Sequence, residues 1–552
     1  MAPRLRAPQI AVILLALAAG LRAQIRFEDI AAQAGLKFNL QNGAVGEYHQ
    51  PELMAGGVAV LDFDNDGCMD IFFTNAATMP GLEKSGPQYF NRLFRNDCHG
   101  GFTDVTDKAG LRGEGYSMGV AVADYDNDGF PDIFVAGLNR NILYHNRRDG
   151  TFEDVTGKAR LKGIDPHYGK LWSVAAAWVD IDNDGWLDLV VSNYVQWDPR
   201  NEPRCGTPQR PAYCHPSAYR GAPGQLFRNN GDGTFTDITE SSGIGALIGK
   251  GMGLAVADYD GDGLMDIYVA NDTEPNFLFH NLGHGKFEEV AMLAGAAFDD
   301  DGRAVAGMGV DFRDFDNDGR PDLALTTNLN DTFPLFRNTG ASPLFEDITA
   351  RAGLAIPTRR LTGWGMGLYD FDNDGLKDLF TANGHFPVSD PAIDMSLPNS
   401  VFRNRGDGRL EDVSKSAGPD FQFPGQYRGA AFADFDNDGR IDVVVSNGAG
   451  PARLFRNITP HPGHWLALKL TGTHSNRDGI GARVTVTLPS GRKLYNHCTT
   501  SVGYASSSEP LVRFGLGPET SVKLIEIRWP SGRLQQLPAV PPDRISPVRE
   551  PQ

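Results

Sequence analysis

The chain has 552 residues and a formal net charge of −18, enough length for two or more domains and an acidic excess that argues against nucleic acid as a partner. The same excess points to bound cations or a solvated acidic surface. With 65 Gly and 35 Pro the composition is globular and rich in turns, and no stretch beyond the N-terminus has the roughly 20 apolar residues that a membrane helix needs.

The N-terminus, MAPRLRAPQIAVILLALAAGLRAQ, carries Arg4 and Arg6, then an apolar run from Ile10 to Leu21, then the small residue Ala23. This layout predicts a secretory signal peptide over residues 1–23 and no membrane span after its removal. The mature protein is therefore expected to be secreted, or periplasmic or cell-surface in a bacterium. Five cysteines are compatible with an oxidising compartment. Cys205 and Cys214, which bracket GTPQRPAY, are the expected disulfide; Cys68 with Cys98 is a second candidate pair, leaving Cys498 over.

At residues 62–70 stands DFDNDGCMD, with Asp62, Asp64, Asp66 and Asp70 at positions 1, 3, 5 and 9 and Gly67 at position 6. Four carboxylates this close repel one another unless a cation sits among them. The first six positions resemble an EF-hand loop, but the closing Glu at position 12 is missing. The flanks VAVL and IFFTN are strand-like, so the loop is expected on a β-hairpin.

The motif returns six times. The second copy offers Asp124, Asp126, Asp128 and Asp132, and the third Asp180, Asp182, Asp184 and Asp188. The fourth offers Asp258, Asp260, Asp262 and Asp266, and the fifth Asp314, Asp316, Asp318 and Asp322. The sixth has Asp370, Asp372, Asp374 and Asp378, and the seventh Asp434, Asp436, Asp438 and Asp442. Position 7 varies freely (Cys, Phe, Trp, Leu, Arg, Leu, Arg), as expected of a residue that gives only its backbone carbonyl to an ion. Position 2 is always Phe, Tyr or Ile and should face the core. Asx-turns that merely tighten hairpins would need one or two Asp per turn, not four. The pattern predicts up to seven structural Ca2+, whose +14 would bring the net charge to −4.

Six of the loops are followed by a second motif, such as LFRNNGDGTFTDIT, which reads as a hairpin. Each repeat thus supplies strand a before the Asp loop, strand b after it, c (LFRN) and d (FxDVT). Four-stranded units repeated seven times predict a β-propeller. The seventh unit ends at LFRN, residues 454–457, without a strand d; IRFEDIAAQAGL, from Ile25, matches that strand and is expected to close the ring. The expectation is an all-β protein, with a seven-bladed propeller over 24–459 and a small all-β domain over 460–548.

These repeats resemble the FG-GAP or VCBS class, related to the integrin α-subunit propeller, whose blades carry Asp-x-Asp-x-Asp-Gly-x-x-Asp calcium loops. The tail, with SNRDGIGARV, SSSE, FGLG and RWPSGR, is similar to the ASPIC/UnbV domain of the cartilage acidic protein-like family. The cysteine-poor end AVPPDRISPVREPQ lacks the EGF-like module of animal members, so functions tied to that module are not implied. Without the family, residues 463–545 show strands around two PSGR turns, and SNRDGIG reads as a polar turn or a binding loop.

In an up-and-down blade the Asp loops and c–d turns share one face. The other receives the insertions NAATMPGLEKSGPQYFNR, the Cys205–Cys214 excursion and NGHFPVSDPAIDMSLPNS. It also receives Tyr48, His49, Tyr116, His167, Tyr168, Trp172, Trp364, His385 and Tyr427. These rings are candidates for contact with an extracellular protein or a glycan, or else they pack the insertions onto the rim. GYSMG at 115–119 fits the hydrolase G-x-S-x-G pattern, but Ser117 is a repeat position at the start of strand a; His280 and His284 lie in a hairpin, where a spacing of four carries no meaning. No nucleophile, acid/base pair or cofactor motif emerges, so the expected function is non-catalytic binding or adhesion. A lectin-like propeller is the alternative, and a polysaccharide-active enzyme a more distant one.

Overall fold

The computed structural model describes residues 24–161, 164–341, 344–386, 394–538 and 540–552. The signal-peptide expectation, residues 1–23, and residues 387–393 of the sixth-unit insertion lie outside them.

Seven four-stranded antiparallel sheets account for residues 27–457. Their a strands are Val58–Leu61, Tyr116–Ala123, Ser173–Val179, Gly251–Ala257, Val310–Arg313, Gly363–Tyr369 and Tyr427–Ala433. Each a strand packs against the a strands of the preceding and following sheets, and the first packs against the last, so the seven form a closed ring. Burial on both faces explains why these strands read as runs such as VAVA rather than as alternating sequences. Close approach between them falls on glycines: a Cβ on Gly309 would meet the Trp364 carbonyl at 2.1 Å, and one on Gly119 the Val174 carbonyl at 2.1 Å.

The ring closes as expected. Strand Phe27–Asp29 pairs antiparallel with Arg453–Asn457, the c strand of the seventh sheet, and Asp29 accepts from the Arg453 guanidinium at 2.6 Å. The d motif has a local cause: in FTDVT the Asp104 carboxylate accepts from the Thr106 amide at 3.0 Å, and the Thr106 hydroxyl accepts from the Leu93 amide of strand c at 2.9 Å. Equivalent bonds recur at Asp154 and Thr156, and at Asp237 and Thr239.

Residues 464–549 form two further sheets. One holds Val512–Gly517, His464–Thr471 and Ile545–Arg549; the other holds Lys493–His497, Arg483–Thr487, Leu524–Arg528 and Leu534–Pro538. Their shared core includes Leu466, Leu468, Val484, Ile525, Ile527 and Trp529. Cys68 is bonded to Cys98 and Cys205 to Cys214, while Cys498 is free and buried. Among the described residues no helix is long and apolar enough to cross a membrane.

Candidate metal centres

Each Asp loop is held by the same bonds. The position-1 carboxylate accepts from the amide of the position-6 glycine in all seven, from Asp62 with Gly67 at 3.1 Å to Asp434 with Gly439 at 2.8 Å. That glycine has φ between 88° and 97° in every loop, which only glycine adopts without strain. The position-9 carboxylate accepts from the amide of the LFRN asparagine at 2.7–2.9 Å in all seven. Position 2 is buried throughout, from Phe371 at 0% exposure to Tyr259 at 5%.

Two asparagines join neighbouring blades. The LFRN asparagine donates to the position-2 carbonyl of the preceding blade at 2.8–2.9 Å, from Asn146 on Phe63 round to Asn96 on Phe435. The position-4 asparagine, with positive φ, donates to the position-6 carbonyl of the following blade, as Asn65 does to Gly129 at 2.8 Å. The fourth loop has Gly261 at position 4. There Arg483 of the C-terminal domain supplies the bond, donating to the Gly319 carbonyl at 3.0 Å and to Asp258 Oδ2 at 3.2 Å.

The carboxylates converge. Asp62, Asp64 and Asp66 offer oxygens all within 4.8 Å of one another, and so do Asp124, Asp126 and Asp132. Burial pushes Asp70 up to about 8 and Asp180 up to about 7; it raises Asp62, Asp188, Asp322, Asp378 and Asp442 as well. Asp62 Oδ1, Asp64 Oδ1, Asp182 Oδ1 and Asp132 Oδ2 are buried without a hydrogen-bond partner. An all-oxygen set with buried, unpartnered carboxylate oxygens fits a hard divalent cation. Strand c also brings compensating charge that the sequence reading missed: Arg95 pairs with Asp64 and Asp66, each at 2.6 Å, and Arg337 with Asp316 at 2.7 Å and Asp318 at 3.3 Å.

The C-terminal domain sits on this face. Lys469, Arg477, Arg483 and Arg513 approach the position-1 aspartates Asp62, Asp124, Asp258 and Asp434 at 3.9, 3.7, 3.2 and 3.2 Å. SNRDGIG is a docking loop: the Arg477 amide donates to Asn127 Oδ1 at 2.8 Å, and the Asp124 amide donates to Asp478 Oδ2 at 2.8 Å. Burial, and next the Asp478 charge, raise Asp124.

From the same domain, residues 499–509 run into the axis of the ring. The Val60 and Val120 amides donate to the Ser507 and Ala505 carbonyls at 3.0 and 3.1 Å, and Val310 and Gly503 exchange bonds at 3.3 and 2.8 Å. The Ser501 hydroxyl donates to the Leu254 carbonyl at 2.7 Å, and Ser508 Oγ accepts from the Phe432 amide at 3.2 Å. Edge groups of the a strands that would otherwise face the channel are thereby paired. Small side chains in TTSVGYASSSE allow the segment to fit.

At the far mouth the structure decides between the two alternatives, contact with a ligand and packing, in favour of packing for most of the rings. Tyr116, Trp172, Trp364 and Tyr427 are at most 1% exposed, and His49 and His385 are 5% exposed, so these six are not a binding surface. Tyr116, Trp172 and Trp364 share a core cluster with Leu53 and Met54 of the segment 49–54 drawn across the mouth, whereas the Tyr427 hydroxyl donates to the Phe423 carbonyl at 2.9 Å and His385 Nδ1 faces the Thr362 hydroxyl at 2.7 Å. Tyr116 donates to the Asn42 and Pro51 carbonyls, and Glu202, just ahead of the Cys205–Cys214 excursion, pairs with His49 and accepts from the Gln50 amide at 2.8 Å. Tyr168 is 39% exposed, His167 pairs with Glu240 at 2.7 Å, and Tyr48 packs its edge against Tyr213. Ser117 is buried within its a strand. His280 faces Asp266 at 3.2 Å, a contact that its hairpin position did not suggest.

The FG-GAP-like repeat profile matches residues 62–135, 124–191, 217–269, 258–325, 314–381 and 370–445, and the ASPIC and UnbV profile matches 472–552. Cartilage acidic protein 1 of Mus musculus is 27% identical over 510 residues, covering 88% of this chain and 72% of that protein. The Homo sapiens protein of the same name is 26% identical, covering 88% and 70%. Among solved structures, an Agrocybe aegerita lectin described as recognising non-reducing terminal N-acetylglucosamine aligns with 16% identity and a TM-score of 0.40 over 78% of this chain and 96% of that one. With its repeats matched across most of the propeller, the chain belongs to the FG-GAP-like repeat family and carries an ASPIC and UnbV domain at its C-terminal end.

Proposed function

We propose that the chain is an exported, non-catalytic binding module whose Asp loops hold structural Ca2+ and whose ligand meets the face away from those loops. The carrying observation is a repeated cluster of oxygen donors in which buried carboxylate oxygens of Asp62, Asp64, Asp132 and Asp182 have no hydrogen-bond partner. Asp62, Asp64, Asp66, Asp70 and the position-7 carbonyl would hold the ion of the first blade, and the equivalent residues those of the others. Bound calcium would neutralise the clustered carboxylates and tie strand a to strand b.

The ligand face follows by what is covered. The Asp-loop face carries the C-terminal domain and the axis carries residues 499–509. Remaining open is a groove of about 950 Å³ between the first-blade insertion and the second blade, lined by Phe90, Arg112, Glu114, Arg140, Asp154 and Ile164. The Phe90 ring lies against the guanidiniums of Arg92 and Arg112, at 5.6 and 5.2 Å. An aromatic platform among fixed charges suits a polar extracellular ligand, protein or glycan. Melting after exhaustive EDTA treatment tests the calcium reading, since an unchanged transition would sink it. Capture from an extracellular extract and a glycan array, each with Phe90→Ala and Arg140→Ala as controls, test the groove; binding that both variants retain excludes it.

A further inference from the structure

The c strands carry Arg95, Arg228, Arg337, Arg403 and Arg456 in five blades, but His145 and His280 in the second and fourth. Arginine stays protonated and cannot ligate a metal, whereas an imidazole nitrogen can. His145 Nδ1 lies 3.1 Å from Asp132 Oδ1 and 3.3 Å from Asp126 Oδ2, and Asp126, Asp128 and His145 offer ligand atoms all within 4.8 Å of one another. Nitrogen and oxygen ligands of a tetrahedral ion with bonds of about 2.1 Å stand about 3.4 Å apart, close to the His145–Asp126 spacing; Arg148, which pairs with Asp128 Oδ2 at 2.7 Å, would turn away to release that carboxylate. The Tyr125 ring meets the imidazole edge-on at 6.4 Å between centroids.

A separate observation marks the second blade. In the other six, the position-9 Oδ2 accepts from the position-2 amide, as Asp70 does from Phe63 at 3.1 Å. Asp132 is 0% exposed and its Oδ2 has no partner, although Asp132 belongs to the converging set with Asp124 and Asp126. This loop therefore presents an imidazole nitrogen and an unpartnered position-9 carboxylate oxygen, a combination that the arginine blades do not have.

We propose that the second-blade loop is a site for a divalent first-row transition ion of the cobalt-to-zinc range, held by His145 Nδ1 with oxygens of Asp126, Asp128 and Asp132. Such ions prefer nitrogen-containing sets, whereas calcium takes oxygen. The fourth blade has the imidazole, with His280 Nδ1 3.2 Å from Asp266 and 3.6 Å from Asp260, but its Asp266 Oδ2 is already bonded to the Tyr259 amide. It is expected to bind the same ions more weakly. In this one loop the transition ion takes the place of the calcium assigned above; the proposal rests on the loops being cation sites, but not on the ion in the other blades being calcium.

The test uses the untagged mature chain, stripped of metal, then given Co2+ in the presence of millimolar Ca2+ and passed through a desalting column. One retained Co2+ with a visible ligand-field band is expected, lost in His145→Arg and kept in His280→Arg. The arginine variant copies five other blades, so it should fold, and an unchanged circular dichroism spectrum would verify this. No retained Co2+, or retention unaffected by His145→Arg, overturns the proposal. Calcium is counted by elemental analysis in the same samples. Absence of calcium beside His145-dependent Co2+ would defeat the calcium reading alone, and calcium in the loops without Co2+ would defeat this one alone.

Discussion

The hydroxyl of Tyr504 donates to the backbone carbonyl of Met54 at 2.7 Å across 450 residues of sequence. One group belongs to the C-terminal domain and the other to the segment over the far mouth of the propeller, so the contact runs the length of the axis. Tyr504 is 0% exposed and meets Trp364 at 4.9 Å between ring centroids. Tyr504→Phe should cost about 1–2 kcal/mol for the orphaned carbonyl, and Tyr504→Ala about 3–5 kcal/mol with its cavity. Denaturant melts followed by tryptophan fluorescence would show this, and a domain that merely rests on the ring would leave the propeller transition unmoved.

Chelation should act differently at different pH. In the metal-free chain burial lifts Asp70 to about 8 and Asp132, Asp180 and Asp266 to about 7. These groups bind protons in the folded state that the unfolded chain has already released, so folded stability is greatest below the ordinary carboxylate range and falls as pH rises through the raised values. The melting temperature in EDTA should therefore drop between about pH 5 and about pH 8. With millimolar calcium, which selects the ionised carboxylates, the drop should vanish or reverse; parallel profiles with and without calcium would contradict the loop assignment.

Arg483 occupies the place that an asparagine fills in six other loops. Arg483→Ala should cost about 1–2 kcal/mol, because Asp258 and the Gly319 carbonyl both lose a donor. Gly261 has φ 83°, a region that asparagine tolerates. Adding Gly261→Asn to the alanine variant should restore part of the loss, but in the parent chain it should not stabilise, since the new Cβ would stand 3.4 Å from Arg483 Nη1. A double-mutant cycle with equal effects in both backgrounds would refute the substitution of one donor for the other.

Asn281 ties the fourth blade to the third: its amide donates to the Ile181 and Met265 carbonyls at 2.9 and 3.0 Å, and its oxygen accepts from the Gly283 amide at 2.9 Å. Asn281→Ala should cost about 2–4 kcal/mol, whereas exposed Asn230→Ala should stay within about 0.5 kcal/mol. Equal melting temperatures for the two variants would show that the inter-blade bonds add nothing.

The propeller, its N-terminal closing strand and the Asp loops were legible because the same residues recur at matching positions, which separates loop chemistry from packing within one chain. LFRN was read as a strand, yet its asparagine is the inter-blade tie and its arginine the counter-charge; the repetition showed that the residues mattered but not what they touch. The axial segment escaped because TTSVGYASSSE has neither strand nor helix periodicity. One signal was present: glycine precedes strand-a residues such as Val58, Val120 and Val310, and that marks a place where backbones come close. The aromatic rings belong to the expected end of the propeller, but sequence left open whether they meet a ligand or pack, since it does not show that residues 49–54 fold over Tyr116, Trp172 and Trp364.

Closure of the ring by Phe27–Asp29 against Arg453–Asn457 sets the order in which the chain can assemble. During synthesis the first strand has no sheet to join until more than four hundred residues have followed it. The segment that fills the axis comes later still, after the last blade is complete in sequence. Individual blades can form as they emerge, but the finished ring depends on the two ends of the propeller meeting, so a chain shortened before residue 453 keeps an open sheet edge and one shortened before residue 499 an unlined channel.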